Sequence, residues 1–380
     1  MTLLFLIALL TLAAFQKAFA KDVNQEATFE ARVLEIIEEK EIIADDGSKS
    51  IQQDIKLRGL TNEWKNKEFF FYGTSNIQIS KTNVYRPGDR VLVGYTRNSQ
   101  GEDLFYIIDY IRRDGLYFLA AFFALVIILI AKWKGAKALF SLLISFIVII
   151  KFIVPKILAG SNPLFIGVIG SLLILLLIIY LTEGINKKSH LAILSIFICL
   201  IITALLSVIF TYIIKLTGMA QEEAMYLVGI GKSTINFKGL LLAGILIGTL
   251  GILDDIVISQ VEAIDKIKKA NPSLAKKEVF AMALQIGHSH LGAVINTLFL
   301  AYAGASLPLL LLFSLRQPPF LTFGQTVSNE IIATEIARTL IGSIGLALSV
   351  TIATLLATYF HNPKNIIKKS QFDQYRGIKK

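Results

Sequence analysis

Two adjacent carboxylates, Asp254 and Asp255, lie inside a long apolar stretch that runs from Gly239 towards Lys266. A charged residue at the centre of a membrane helix costs about 2.5–3.5 kcal/mol on insertion scales, so such residues normally face the bundle interior and serve a function. Here the pair could serve a transport path or a buried binding site. The alternative is that both carboxylates only anchor the cytoplasmic end of the helix near Lys266.

A stripe of small residues leads to the second carboxylate. Its members recur at i, i+4, i+7, i+11 and i+15 and share one helix face: Gly244, Gly248, Gly251, Asp255 and Ser259. Small residues let a second helix approach closely. We therefore expect this face, with Asp255, to lie in a packed helix interface, and Asp254 to be turned away by about 100°.

The next apolar stretch carries a second polar set: Gln285, His288, Ser289, Asn296 and Thr297. Gln285, Ser289 and Asn296 share a helix face, with His288 at its edge. His288 and His290 do not have metal-ligand spacing, because residues two apart on a helix point in nearly opposite directions. The alternative to a functional role is hydrogen bonding between helices, which is common for Asn, Gln and His in membranes.

The last apolar stretch contains Glu335 and Arg338, followed by two more packing glycines, Gly342 and Gly345. Three residues apart on a helix, the two charges could simply neutralise each other. Counted at 1.5 Å per residue, the polar residues of the three stretches fall into two layers. The cytoplasmic layer holds Asp254, Asp255 and His288, and the outer layer holds Asn296, Thr297, Glu335 and Arg338. Two stacked layers favour a path, or a buried site between them.

Several other chemistries are excluded by spacing. Residues 229–233 match the last residues of a phosphate-binding loop. Such a loop also requires a glycine at position 226, which is Tyr226 in this chain. Cys199 is the only cysteine, which rules out an intrachain disulfide and a cysteine-based metal site. An intramembrane aspartyl protease would need carboxylates on facing helices, whereas both lie on one. We therefore expect no enzymatic activity, no cofactor and no metal.

The composition indicates a membrane protein. Of 380 residues, 54% are hydrophobic and 17% are charged, against about 25% charged residues in a soluble domain. The formal net charge of +10 does not point to nucleic acid, because residues 21–114 hold 17 of the 28 acidic residues and 14 of the 38 basic ones. The surplus Lys and Arg lie in short loops between apolar runs, where they report topology.

The N-terminal third predicts an exported domain. Residues 1–20 have the pattern of a signal peptide, with a short apolar run before Ala18-Phe19-Ala20; the alternative is an uncleaved anchor. Residues 21–112 contain five to seven short strand patterns and predict a small extracytoplasmic β-barrel, OB-like in kind. Its acidic balance and exported location argue against nucleic-acid binding.

Residues 115–360 predict an α-helical bundle of about seven transmembrane helices, since each apolar run is close to the ~20 residues that cross a bilayer. The predicted spans are 115–131, 136–154, 164–181, 191–214, 239–259, 279–303 and 331–360. The run 307–313 is too short to span and would be re-entrant or a cap over the bundle. With the β domain outside, the cytoplasmic segments, including the basic tail 361–380, carry sixteen Lys and Arg, against five in the external loops between spans. This bias predicts a cytoplasmic C-terminus.

With these residues in view, the chain resembles the YibE/F family of bacterial multi-pass membrane proteins over roughly residues 25–360. The resemblance rests on Gly251-Ile-Leu-Asp254-Asp255-Ile-Val-Ile-Ser259-Gln260, on Asn296-Thr297-Leu-Phe-Leu-Ala301-Tyr302-Ala-Gly304-Ala-Ser306-Leu-Pro308 and on Asn329-Glu-Ile-Ile-Ala-Thr-Glu335-Ile-Ala-Arg338-Thr339-Leu-Ile-Gly342-Ser343. It implies the multi-pass architecture and these motif positions, with no established activity. It also implies a heteromeric partner, because members of this type often occur beside a second, shorter membrane relative. Residues 287–290 depart from the charged stretch typical of the family, so no role for His288 carries over.

Together these observations favour a cell-membrane transporter or channel-like protein for a small solute or ion. Its expected partners are the lipid bilayer and either a second copy of the chain or a family relative. The alternative is a non-transporting membrane scaffold whose exported β domain binds an envelope component, since a domain of this size is a large addition to a simple permease.

Overall fold

The computed structural model describes residues 28–43, 49–73, 84–97, 103–229, 234–316, 318 and 321–361. The predicted signal segment and residues 362–380 of the basic tail lie outside these described residues. The chain forms two compact units, Met1–Phe123 and Ala124–Lys380.

The first unit is built on an antiparallel five-stranded sheet in the order β3-β2-β1-β4-β5. The strands are β1 Thr28–Ile43, β2 Lys49–Gly59, β3 Glu68–Tyr72, β4 Arg90–Arg97 and β5 Asp103–Tyr110. β1 is central, with Ile36 opposite Ile55 of β2 and Phe29 opposite Val93 of β4. The predicted β domain is thereby confirmed as an antiparallel half-barrel sheet.

Aromatic rings fill the inner side of this sheet. The ring of Phe29 lies within 6.4 Å, centroid to centroid, of the rings of Trp64, Phe69, Tyr95 and Phe105. Phe69 of β3 and Phe105 of β5 have centroids only 4.6 Å apart. Because β3 and β5 are the two edges of the sheet, this contact curls the sheet and brings its edges together across the core.

Glu30 ties the central strand to the first residues of the helix that follows β5. Its side chain is 15% exposed. Its carboxylate accepts two hydrogen bonds from Arg113, at 2.6 and 2.8 Å, and one from Arg90 at 3.0 Å. Two guanidinium groups thus compensate one partly buried carboxylate, and the bidentate geometry orients the Arg113 side chain.

The helices of the described chain are α1 Arg113–Val148, α2 Val154–Leu158, α3 Pro163–Thr182, α4 Lys187–Ile213, α5 Glu222–Gly229, α6 Phe237–Ala270, α7 Lys276–Ala305, α8 Leu307–Ser314, α9 Phe323–Ser328 and α10 Glu330–Phe360. Four of them begin after an asparagine whose side-chain oxygen accepts a backbone N–H of the first turn: Asn162, Asn186, Asn236 and Asn329. Asparagine is favoured there because it satisfies an N–H that has no partner within the helix. Local sequence therefore sets where the long helices start.

The first two predicted spans lie in one helical stretch. A π-helical turn, Ile149–Ile153, joins α1 to α2, and Lys132 interrupts the stretch with φ 51° and ψ −128°. At 1.5 Å per residue, the 46 residues of Arg113–Leu158 would measure about 69 Å if straight, more than twice the ~30 Å hydrocarbon core. Lys132 lies between the predicted spans 115–131 and 136–154, where a break is needed.

Five helical stretches of the described chain are long and apolar enough to cross a membrane: Arg113–Leu158, Pro163–Thr182, Lys187–Ile213, Phe237–Ala270 and Glu330–Phe360. A membrane-embedded helical protein is therefore confirmed, while the count of seven spans is not. The predicted span 279–303 forms α7, which is not one of these five stretches; polar side chains recur along it.

In the second unit α6 and α10 are the central helices: α6 packs against α3, α4, α7 and α10, and α10 against α4, α6 and α7. Glycines lie where these helices approach one another most closely. A Cβ built on Gly345 of α10 would come within 2.3 Å of Thr203 Oγ1 on α4. One built on Gly167 of α3 would come within 2.8 Å of the Ala243 Cβ on α6. These contacts follow the rule that small residues let membrane helices pack closely.

Candidate functional site

The two aspartates of α6 have the opposite environments from those expected. Asp254 is half-buried, and its Oδ1 is buried without a hydrogen-bond partner among the described residues. Asp255 is exposed on the surface of the chain. The expectation that Asp255 lies in the packed interior and Asp254 is turned away is therefore wrong for this chain.

The small-residue stripe of α6 explains the reversal. Gly244 and Gly251 are exposed and have open space where a Cβ would stand, and the nearest atom to a Cβ on Gly248 is Tyr302 Oη at 3.5 Å. The interior side of α6 is instead filled by large apolar side chains, including Leu246 and Leu253. Helical spacing correctly groups the stripe on one face, but spacing does not say whether that face is turned inward.

The polar residues of α7 also lie on the outside of the chain. Gln285, His288, Ser289, Asn296 and Thr297 are all exposed. The hydroxyls of Ser289 and Thr297 donate to carbonyls four residues earlier on the same helix, at 3.2 and 3.0 Å. We call Asp255 of α6 together with these five residues of α7 the outward polar face. Ser259, at the end of the α6 stripe, is half-buried.

Glu335 and Arg338 of α10 form an ion pair, with Arg338 Nη1 3.3 Å from Glu335 Oε1 and side chains 23% and 19% exposed. This is the mutual neutralisation considered from the sequence. Arg338 Nε is buried without a hydrogen-bond partner in the described chain. The other two predicted packing glycines lie nearby on α10, where a Cβ on Gly342 would contact Thr249 Oγ1 at 3.4 Å.

A cavity of about 580 Å³ lies beside this ion pair. Its walls are the last turns of α7, the short helices α8 and α9, and the first three turns of α10. The lining is mainly apolar, with Phe299 and Phe313 among its aromatic residues, and its charged members are Arg316 and Glu335. The apolar run 307–313, expected to be re-entrant or a cap, forms α8 and one wall of this cavity.

Residues 119–363 match the family described as YibE/F-like protein. The chain belongs to this family. No curated protein and no solved structure matches the chain. The YibE/F-like region contains every site residue named above, whereas the five strands of the first unit lie outside it.

The YibE/F-like region also contains a buried polar contact that sequence reasoning missed. Gln260 of α6 is 3% exposed. Its Nε2 donates to the carbonyl of Ala283 on α7 at 2.6 Å and to Thr354 Oγ1 on α10 at 2.8 Å. Gly287 makes room for it, since a Cβ there would lie 2.9 Å from Gln260 Oε1. Its signal in the sequence is a glutamine that directly follows Ser259 in a largely apolar helix.

A second missed cluster lies where α6 and α10 end. His361 Nε2 is 2.8 Å from Asp265 Oδ1, and both side chains are 6% exposed. Lys269 also pairs with Asp265 at 2.7 Å, and Lys268 Nζ donates to the carbonyl of Thr358 at 2.7 Å and to that of His361. Lysines that cap the last carbonyls of α10 fit the negative end of its helix dipole. In the sequence, Lys268 and Lys269 serve only as topology signals. The pairing of Asp265 with His361 is not visible there, because the two residues are 96 positions apart.

Proposed function

We propose that this YibE/F-like protein is a transporter or channel-like protein that moves a small solute or an ion through the membrane along the outward polar face. The observation that carries the proposal is that these polar side chains are exposed on the outside of the chain, on two neighbouring helices of a membrane protein. Polar groups without partners in hydrocarbon cost several kcal/mol each. Intramembrane polar residues accordingly face a water-filled path or another protein chain.

The proposal includes a second chain that covers the outward polar face and completes the path. A second copy or a shorter family relative would supply it. The exposed glycines beside Asp255 support close packing of a partner helix. The inner end of such a path would be Asp255 with His288, and the outer end would be Asn296 with the Glu335–Arg338 pair.

Seven spans are part of the same proposal. α7 has 30 residues, which suffice to cross the bilayer, and its polar residues are tolerated if they line a path. Lys132 divides α1 into two spans. The distribution of Lys and Arg supports a cell-membrane protein with its β unit outside and its C-terminus in the cytoplasm. The curled order of the five strands, with β1 between β2 and β4, supports an OB-like barrel. We propose no enzymatic role.

Flux into liposomes tests the transport proposal. The probes are protons with an internal pH dye, Na⁺ and K⁺ with ion-selective dyes, and osmotic swelling in urea and sorbitol. We expect at least one probe to enter faster than in protein-free liposomes. Asp255→Asn should reduce that flux about tenfold or more, since a hydrogen bond to a charged group is worth ~1.5–3 kcal/mol and ~1.4 kcal/mol is a factor of ten.

Glu223→Gln is the matched control, because Glu223 is also an exposed carboxylate and lies on α5, outside the proposed path. Its flux should equal that of the parent. Flux no faster than in protein-free liposomes for every probe would overturn the transport proposal. If the Asp255→Asn variant keeps the flux of the parent, Asp255 is not part of the path.

A second candidate function is a membrane scaffold whose exported β unit binds an envelope component. It is favoured by large apolar side chains on the outer sides of the two edge strands, which are 37–57% exposed: Phe70, Tyr72, Leu104, Tyr106 and Ile108. A photo-crosslinker at Tyr72 in intact cells tests it, with one at the exposed, ion-paired Lys40 of β1 as control. Capture at position 72 and not at 40, in a protein without flux, would establish this alternative.

A further inference from the structure

We propose that the cavity between α7, α8, α9 and α10 binds a single-chain amphiphile with an anionic head, a long-chain carboxylate in chemical class. The inference goes beyond the proposed transport function and does not rest on it. It follows from the size, lining, depth and charge of the cavity.

The size and lining fit a small apolar ligand. The cavity measures about 580 Å³, within the ~300–1,000 Å³ typical of ligand sites, which are mostly apolar with a few placed polar groups. Phe299, Leu310 and Leu340 line it and are 40–47% exposed. The chain itself therefore leaves these apolar surfaces open inside a concave site.

The depth of the cavity fits an elongated ligand. Its lining runs along α10 to Leu340, eleven residues from the N-cap Asn329. At 1.5 Å per residue this is about 16 Å along the helix, or about half of the ~30 Å hydrocarbon core. An occupant that fills the cavity would extend from the helix ends to the middle of the bilayer, as an alkyl chain does.

The charges select the head group. Glu335 is already paired with Arg338. Arg316 is exposed, lines the cavity, and has no ion pair among the described residues. It follows α8 directly, two residues after Ser314. A ligand carboxylate would pair with the Arg316 guanidinium, and the alkyl chain of the ligand would lie against the apolar walls between Phe299 and Leu340.

Equilibrium dialysis of the full chain in phosphatidylcholine nanodiscs tests the proposal, with protein-free nanodiscs as baseline. The probes are radiolabelled dodecanoate, dodecanol and dodecylamine, which share one chain and differ in head charge. We expect dodecanoate to bind about tenfold more tightly than dodecanol, and dodecylamine to bind most weakly. Equal binding of the three would overturn the anionic class.

Two pairs of variants locate the site. Arg316→Gln should remove the preference for dodecanoate over dodecanol, whereas Lys156→Gln, at another exposed cation, should retain it. Ala303→Trp should abolish binding of both, because Ala303 lines the cavity. Ala301→Trp should not, because Ala301 is exposed on the same helix but is not part of the lining. A melting curve verifies folding. Unchanged binding in Ala303→Trp would show that the ligand does not bind in this cavity. Saturable binding of phosphatidylglycerol, with no binding of dodecanoate, would show that the ligand is not a single-chain amphiphile.

Discussion

At the scale of single residues, Asp254 and Asp255 are neighbours in sequence but differ in what surrounds them. Asp254 has an oxygen buried without a partner in the described chain, and Asp255 is exposed. A buried polar group without a hydrogen bond retains its desolvation cost, and an apolar replacement removes that cost. Asp254→Leu should therefore stabilise the purified chain by about 1 kcal/mol, measured as a higher melting temperature in detergent.

Asp255→Leu is the control for this prediction. Its side chain is exposed in the isolated chain, so its melting temperature should stay near that of the parent. A lower melting temperature for Asp254→Leu would mean that Asp254 has a stabilising partner, such as a bound water or ion. A higher melting temperature for Asp255→Leu than for Asp254→Leu would indicate that Asp255 is the buried carboxylate.

At the scale of helices, we expect the stability effect of a glycine substitution to depend on whether the glycine faces another helix or the outside of the chain. Gly345→Ala would place a Cβ 2.3 Å from Thr203 Oγ1. Either Thr203 rotates and loses its hydrogen bond to the Cys199 carbonyl, or α4 and α10 separate, at a cost of about 1–3 kcal/mol. Gly244→Ala meets open space and should be neutral or stabilising by up to ~1 kcal/mol through helix propensity. Detergent melting curves of the two variants check this. Comparable losses in both would show that the α6 stripe is packed in the purified protein.

The contact of Gln260 with two other helices gives a second prediction at this scale. Gln260→Leu removes both hydrogen bonds and leaves the carbonyl of Ala283 and the Thr354 hydroxyl with one partner fewer. We expect a loss of about 1–3 kcal/mol in unfolding free energy. Gln285→Leu, at an exposed position of α7, should be nearly neutral in the same assay. Equal effects would mean that Gln260 does not hold α6, α7 and α10 together.

At the scale of the whole molecule, the prediction concerns topology. The Lys and Arg bias predicts an external β unit and a cytoplasmic tail. In a Cys199→Ala background, Thr96→Cys of β4 should react with an impermeant thiol reagent in intact cells. Ser370→Cys should react only after permeabilisation. Labelling of position 370 in intact cells would reverse the orientation and, with it, the inner and outer ends of the proposed path.

The sequence by itself determined the class of the protein and the local order within each helix. Apolar run length indicated membrane helices, and alternation indicated strands. Helical spacing also grouped the α6 stripe and the polar side of α7 correctly. These features depend on backbone geometry and on residues close in sequence, so a short segment contains the information that determines them.

Only the tertiary structure decided which face of each helix is turned inward. Lipid is as apolar as leucine, so hydrophobicity does not orient a membrane helix as it does in water. Orientation depends instead on how side-chain volumes fit between helices, as where Gly345 meets Thr203 and Gly287 admits Gln260. One partner of Asp265, His361, lies 96 residues away, and four separate helices line the cavity. Such contacts arise from packing between distant segments, which no local pattern records.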